Sequence, residues 1–171
     1  MKATRVQSFD PVADRRAQVL ILGSMPGVES LAAGQYYAHP RNLFWRIMAA
    51  LLGFQPLAPY REKLRALRSG RFALWDVMHS CRRSGSLDAH IEPDSIQAND
   101  FASFFREHDR IGHVFFNGAT AQATYLRHVL PSVASLGLQY TRLPSTSPAH
   151  AALSYQQKLA AWRIVLKHRS V

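Results

Sequence analysis

At 171 residues, 47% hydrophobic and 19% charged, the chain suits one domain with one sizeable core and is too apolar for a disordered segment. Lys and Arg number 21 against 11 Asp and Glu; the net charge of +10, spread along the chain, favours a polyanion such as DNA or RNA as partner. A single cysteine, Cys81, excludes an internal disulfide and a cysteine-held cluster, and no apolar run approaches a membrane span or a signal core, so a soluble, cytoplasmic protein is expected.

Residues 1–17 read as a polar lead-in, and residues 1–171 as a single domain. Residues 19–22 (VLIL) form a short apolar run ended by Gly23, the pattern of a buried parallel strand. A Gly/Pro-rich and then aromatic loop follows, residues 23–42. Leu43, Phe44, Ile47, Met48, Leu51 and Leu52 recur at helical spacing, with Asn42 where an N-cap would stand and Gly53 as the stop. Pro56 and Pro59 lead into a basic helix over residues 60–67. Residues 72–77 (FALWDV) read as a second strand, and residues 78–95 as a loop too polar for a core element.

Asn99 and Asp100 cap a short helix that turns Phe101, Phe104 and Phe105 inward. Residues 112–116 are the third strand, 119–130 a helix closed by Pro131, and 138–143 the fourth strand. Ser154 and Gln157 make a capping box for the last helix. Four strands alternating with helices predict an α/β fold: a three-layer α/β/α sandwich around a four-stranded, mainly parallel sheet. In such a sheet the loops after the strands open on one edge, which gathers residues 23–42, 76–88, 117–118 and 145–150 into one cleft.

The eight histidines show no metal-ligand spacing, and no metal or cofactor is expected. GSMPG lacks the GK[ST] of a phosphate loop and is not GxGxxG, and no GxSxG nucleophile elbow is present. Ser24, Met25, Pro26 and Gly27 instead offer backbone N–H groups beside a strand end, open to a flat ligand. Tyr37 and Phe44 add ring faces for stacking. Asn42 and Asn117 each carry a donor and an acceptor, suited to a base edge or to placing a water. Ser145, Thr146, Ser147 and Pro148 supply hydroxyls and N–H groups in a rigid turn fit for phosphate, with His150 beside them. On a basic domain this set describes a pocket for an everted nucleobase. Each residue also has a plainer reading: Asn42 as helix cap, Phe44 as core, Asn117 as turn residue. Asp76 and Asp88 either assist as a base or pair with Arg82 or Arg83. Arg41, Arg82, Arg83 and Arg142 read one by one as surface cations.

GSMPG…QYYAHPRNLFW together with LPSTSPAHA resembles the paired motifs of the uracil-DNA glycosylase superfamily. The first motif resembles the GxNPG…FAHPxNRFW of mismatch-specific uracil/thymine glycosylases. With Ser24 and Met25 in the loop, and with LWDV…GSLD and NDF…FNG, the chain is similar to the hypoxanthine (deoxyinosine) DNA glycosylase branch, over residues 19–162. The resemblance implies a monofunctional enzyme acting on DNA that contains deaminated bases. It implies an enzyme that flips the base, hypoxanthine ahead of uracil, and cleaves its N-glycosidic bond with water to leave an abasic site; a monomer is expected. It makes Asn42 the catalytic residue and His150 a DNA contact, with Ala149, His150 and Leu153 as candidates for the wedge. GSMPG carries neither the loop Asn of the mismatch branch nor the loop Asp of the main uracil family. A DNA-binding module that kept the fold and lost the activity is therefore the competing reading; a nucleoside hydrolase is a second, against which the charge argues.

Overall fold

Successive residues of a strand face opposite ways, so an unbroken apolar run must be covered on both sides. The computed structural model, which describes residues 2–170, covers it so. In chain order the elements are β1 (Thr4–Gln7), β2 (Val19–Gly23), α1 (Val28–Ala33), α2 (Phe44–Leu52), α3 (Tyr60–Ser69), β3 (Phe72–Asp76), β4 (Met78–Arg83), β5 (Gln97–Ala98), α4 (Phe101–Glu107), β6 (His113–Asn117), α5 (Ala119–His128), α6 (Leu130–Val133), β7 (Gln139–Leu143) and α7 (Tyr155–Trp162). Strands β3, β2, β6 and β7 lie side by side in that order, all parallel.

Leu20, Leu22, Trp75, Val114 and Phe116 face α4 and α5, packing on Phe101, Phe104 and Tyr125. Val19, Ile21, Phe72, Leu74 and Phe115 face the other way, onto Phe44, Ile47 and Met48 of α2, Leu67 of α3 and Trp162 of α7. This is the expected sandwich with its four-stranded parallel sheet. Register levels the strand ends: Gly23 of β2 lies opposite Asp76 of β3, and Asn117 of β6 opposite Leu143 of β7.

Three expectations are corrected. Residues 1–17 are more than a lead-in, because Thr4–Gln7 pairs antiparallel with β4, and Val12 is buried in a bridge to Leu74. Residues 78–83 are strand and not loop: β4 is the centre of a second sheet, ordered β1-β4-β5. Polarity hid it. Ser80 and Arg83 are buried with partners, Ser80 bonding Arg5 and Gln97 and Arg83 bonding main-chain carbonyls. Pro131 does not close the fifth helix but sits in the first turn of α6, where a missing N–H is tolerated. Helix α1, inside the expected loop, was unforeseen. Among the described residues no helix is long and apolar enough to cross a membrane.

Trp162 locks α7 to the site side of the sheet. It is 0% exposed, meets Phe44 edge-on at 5.9 Å, and donates from Nε1 to Pro144 O at 2.9 Å. Chemical denaturation of Trp162→Ala should show a loss of about 3–5 kcal/mol at unchanged slope. Trp162→Phe, which keeps most of the packing, should lose about 1–3 kcal/mol by orphaning the carbonyl. An alanine variant as stable as the parent would refute this role.

Candidate active site

The levelled strand ends bring the loops after β2, β3, β6 and β7 to one edge, where they enclose a cavity of about 640 Å³. That is an ordinary size for a small-molecule or nucleobase pocket, for which about 300–1,000 Å³ is typical. Ser24, Met25, Pro26, Gly27, Tyr37, Asn42, Asn117, Ser145, Thr146, Ser147, Pro148 and His150 all line it. Phe44 does not.

The floor begins at Gly23, where the sheet admits no side chain. A Cβ there would lie 2.4 Å from Asp76 Oδ1 and 2.9 Å from Tyr37 Oη. The next residue, Ser24, donates its hydroxyl to both carboxylate oxygens of Asp88, at 2.9 and 2.8 Å. Met25 turns into a small core with Met78 and Cys81. Arg83, expected on the surface, is only 1% exposed; it donates from Nε to Gly85 O at 2.8 Å and from Nη2 to Pro26 O. A buried guanidinium under a loop carbonyl fixes the GSMPG turn more firmly than turn chemistry alone. Arg41, Arg82 and Arg142 are exposed, as expected.

The wall opposite is aromatic. Tyr37 holds φ of 54°, in the left-handed region that a bulky residue rarely enters. Its ring stacks on Phe44 at 4.1 Å and 25°. Phe44 therefore backs the wall from the core, 0% exposed, and presents no face to a ligand, which corrects the expectation that it stacks on a base. Of the two rings, Tyr37 is the one that lines the cavity. Asn117 donates from Nδ2 to Tyr37 Oη at 3.1 Å and to Thr146 Oγ1 at 2.9 Å, while its Oδ1 accepts from Thr146 N at 2.9 Å. Both amide hydrogens are thus committed to bracing loops, leaving one lone pair on Oδ1 for a ligand. Thr146 is 0% exposed and its hydroxyl and N–H are both engaged, so the expected phosphate contact by that side chain is corrected. Ser147 and Pro148 are half-buried; Ala149 and His150 are exposed at the rim, and Lys158 Nζ holds the segment through His150 O.

Asn42 sits at the mouth. Its Oδ1 accepts from Phe44 N at 2.9 Å, holding the first N–H of α2 from the residue before the Leu43 cap, and its own N–H donates to His39 O at 2.9 Å. With Oδ1 engaged, the NH₂ end and one Oδ1 lone pair are what the amide can offer a ligand. His39 accepts the Arg41 N–H at Nδ1 (3.1 Å) and also lines the cavity.

The acids are not paired with the arginines expected for them. Among the described residues, Arg82 pairs with Glu92 at 3.3 Å, and no ion pair reaches Asp76 or Asp88. Asp76 is 3% exposed and its Oδ2 has no hydrogen-bond partner. Burial, and then the charge of Asp88, push its carboxyl up to about 7 against the partial offset of Arg83. Burial also raises Asp88, with the Ser24 hydroxyl and Arg83 holding it back. The Tyr37 hydroxyl is driven far up by burial and stays protonated. Ser86 and Ala89 join the lining without having been singled out, and Asp76 and Asp88, weighed as bases or ion-pair partners, line it too. The signal for Asp76 was its place at a strand end level with Gly23.

Comparison with known proteins agrees with this geometry. Residues 9–166 match the model of the uracil DNA glycosylase superfamily. The chain is 34% identical over 164 residues to a protein of Methanosarcina acetivorans named hypoxanthine DNA glycosylase, covering 95% of this chain and 98% of that one. A protein of the same name from Methanosarcina barkeri is 32% identical, with 94% and 98% covered. A solution NMR structure of a candidate uracil DNA glycosylase from M. acetivorans superposes with a TM-score of 0.77 at 32% identity, over 96% of this chain and all of that one. The chain belongs to the uracil DNA glycosylase superfamily and is a DNA N-glycosylase.

Proposed function

We propose that this glycosylase removes hypoxanthine from DNA by flipping the nucleotide into the cavity and cleaving its N-glycosidic bond with water. The observation that carries the reading is the convergence of three motif-bearing segments, around Ser24, Asn42 and Ser147, on one cavity at the edge of a basic domain. The names of two relatives, alike over nearly the full chain, support the choice of base.

Breaking the bond builds positive charge on the sugar and negative charge on the departing base, and a water must reach C1′. Ser24 is committed to Asp88 and brings neither a carboxylate nor an amide to that water. The task falls to Asn42, whose amide is fixed by its bond to Phe44 N and faces the cavity mouth. It orients the water through Oδ1 or donates from Nδ2 to the base; an amide is too weak a base to take the proton outright. Tyr37 offers the stacking face, and the Ser145–His150 segment, exposed at Ala149 and His150, approaches the strand.

Asn42→Ala should slow single-turnover release of hypoxanthine by about 100-fold or more, corresponding to about 3 kcal/mol for one well-aimed polar group. Loss of its bond to Phe44 N should lower stability by only about 1 kcal/mol. Melting curves run beside the kinetics separate the two effects; near-parental turnover would rule out Asn42 as the catalytic group. With net charge +10, affinity for undamaged duplex should fall about 100-fold between about 50 and 200 mM salt, the slope for about four phosphate contacts. A flat salt titration would argue against DNA as the ligand of this surface.

A further inference from the structure

We propose that Asp76 is a catalytic acid, its protonated carboxyl donating to an acceptor atom of the flipped purine as the glycosidic bond breaks. The proposal rests on the functional reading above.

Three observations place it there. Asp76 ends β3 level with Gly23, and its Oδ1 occupies the space that a side chain at Gly23 would take, so the sheet edge is shaped to admit this carboxyl. It lines the cavity while 3% exposed, and its Oδ2 is buried without a partner. Finally, no cation pairs with it among the described residues: Arg83 bonds Gly85 O and Pro26 O through Nε and Nη2, and its Nη1, buried without a partner, makes no bond to the carboxyl. A buried, unpaired carboxyl is destabilising in its charged form and brings the fold no bond through Oδ2. It suits a ligand that accepts a proton.

The groups facing it are Asp88 and Arg83, and the hydroxyls of Tyr37 and Tyr36. Burial and Asp88 outweigh Arg83, which keeps the acid form populated up to about pH 7. Of these two cavity-lining residues, Asp76 is the more deeply buried, at 3% exposed, and Asn42 is half-buried, so in the proposed step the base goes to Asp76 and the water to Asn42. In the step, the Asp76 O–H bond breaks and its proton passes to a purine ring nitrogen or to O6. The C1′–N9 bond breaks, its electron pair stays on the base, and hypoxanthine leaves neutral. Water bonds to C1′ and releases a proton, which restores the acid through solvent. A tuned donor of this kind contributes roughly 10²–10⁴-fold.

The test is single-turnover excision of hypoxanthine from duplex DNA between pH 5.5 and 9. The parent rate should fall as pH rises through about 7, approaching tenfold per unit beyond it. Asp76→Asn keeps a donor of the same shape but cannot give up a proton; it should be about 100-fold slower at pH 6 and lose that limb. The limb should persist in His39→Gln and His150→Gln, whatever their rates, since those imidazoles share the cavity.

Stability provides the check on folding. The folded carboxyl sits above its unfolded value, so its contribution is present below about pH 4 and is lost as pH rises through about 7. Asp76→Asn should therefore melt higher than the parent at pH 8 and close to it at pH 4. A parent with no limb between pH 6 and 8, or an Asn variant that keeps both rate and limb, overturns the proposal and leaves the functional reading intact. A parent that forms no abasic product overturns both.

Discussion

The side chain of Asn117 holds the site together. From the end of β6 its one amide reaches the Tyr37 hydroxyl on one side and grips Thr146 twice on the other. Thr146 in turn accepts the Leu43 N–H at 3.0 Å, which sets where α2 begins and hence where Asn42 stands. Three segments distant in sequence are thus positioned from one sheet residue. Elsewhere the amide would be a turn residue; here it converts the register of the sheet into the geometry of a pocket.

A second support acts from beneath. Arg83, buried under the GSMPG turn, bonds Pro26 O and Gly85 O, and Ser24 ties the turn to Asp88. The small antiparallel sheet that carries Arg83 therefore props the wall of the cavity. With both sides of the loop fixed by polar bonds, the turn is held in place before any ligand enters, and preorganised dipoles are worth most at a site shielded from water. Tyr37 retains its left-handed backbone against that rigid frame, stacked on Phe44 and bonded by Asn117.

The four parallel strands were legible in the sequence because each is a short, unbroken apolar run, and burial on both faces demands that pattern. The edge at which their loops gather followed from topology. The second sheet was not legible: Met78–Arg83 places polar Ser80 and charged Arg83 inside, and of their partners Arg5, Gln97 and Pro26 O lie far away in sequence. At the site, Ser24, Tyr37, Asn42 and Asn117 stood out because their neighbours form long motifs. Phe44 was misplaced because an aromatic that opens a helix can face a pocket or back it, and only packing decides. Asp76 was visible as an acid but its solitude was not, since the arginines beside it in sequence turn to other partners.

The central claim is that this pocket excises a deaminated purine, with Asn42 at its mouth. The most direct measurement offers the protein one panel of oligonucleotides carrying hypoxanthine, uracil or xanthine, in single and double strands, and reads abasic sites as alkali-labile breaks. The account predicts breaks at hypoxanthine, in excess of those at uracil. Tight binding across the panel without breaks at any base would contradict it.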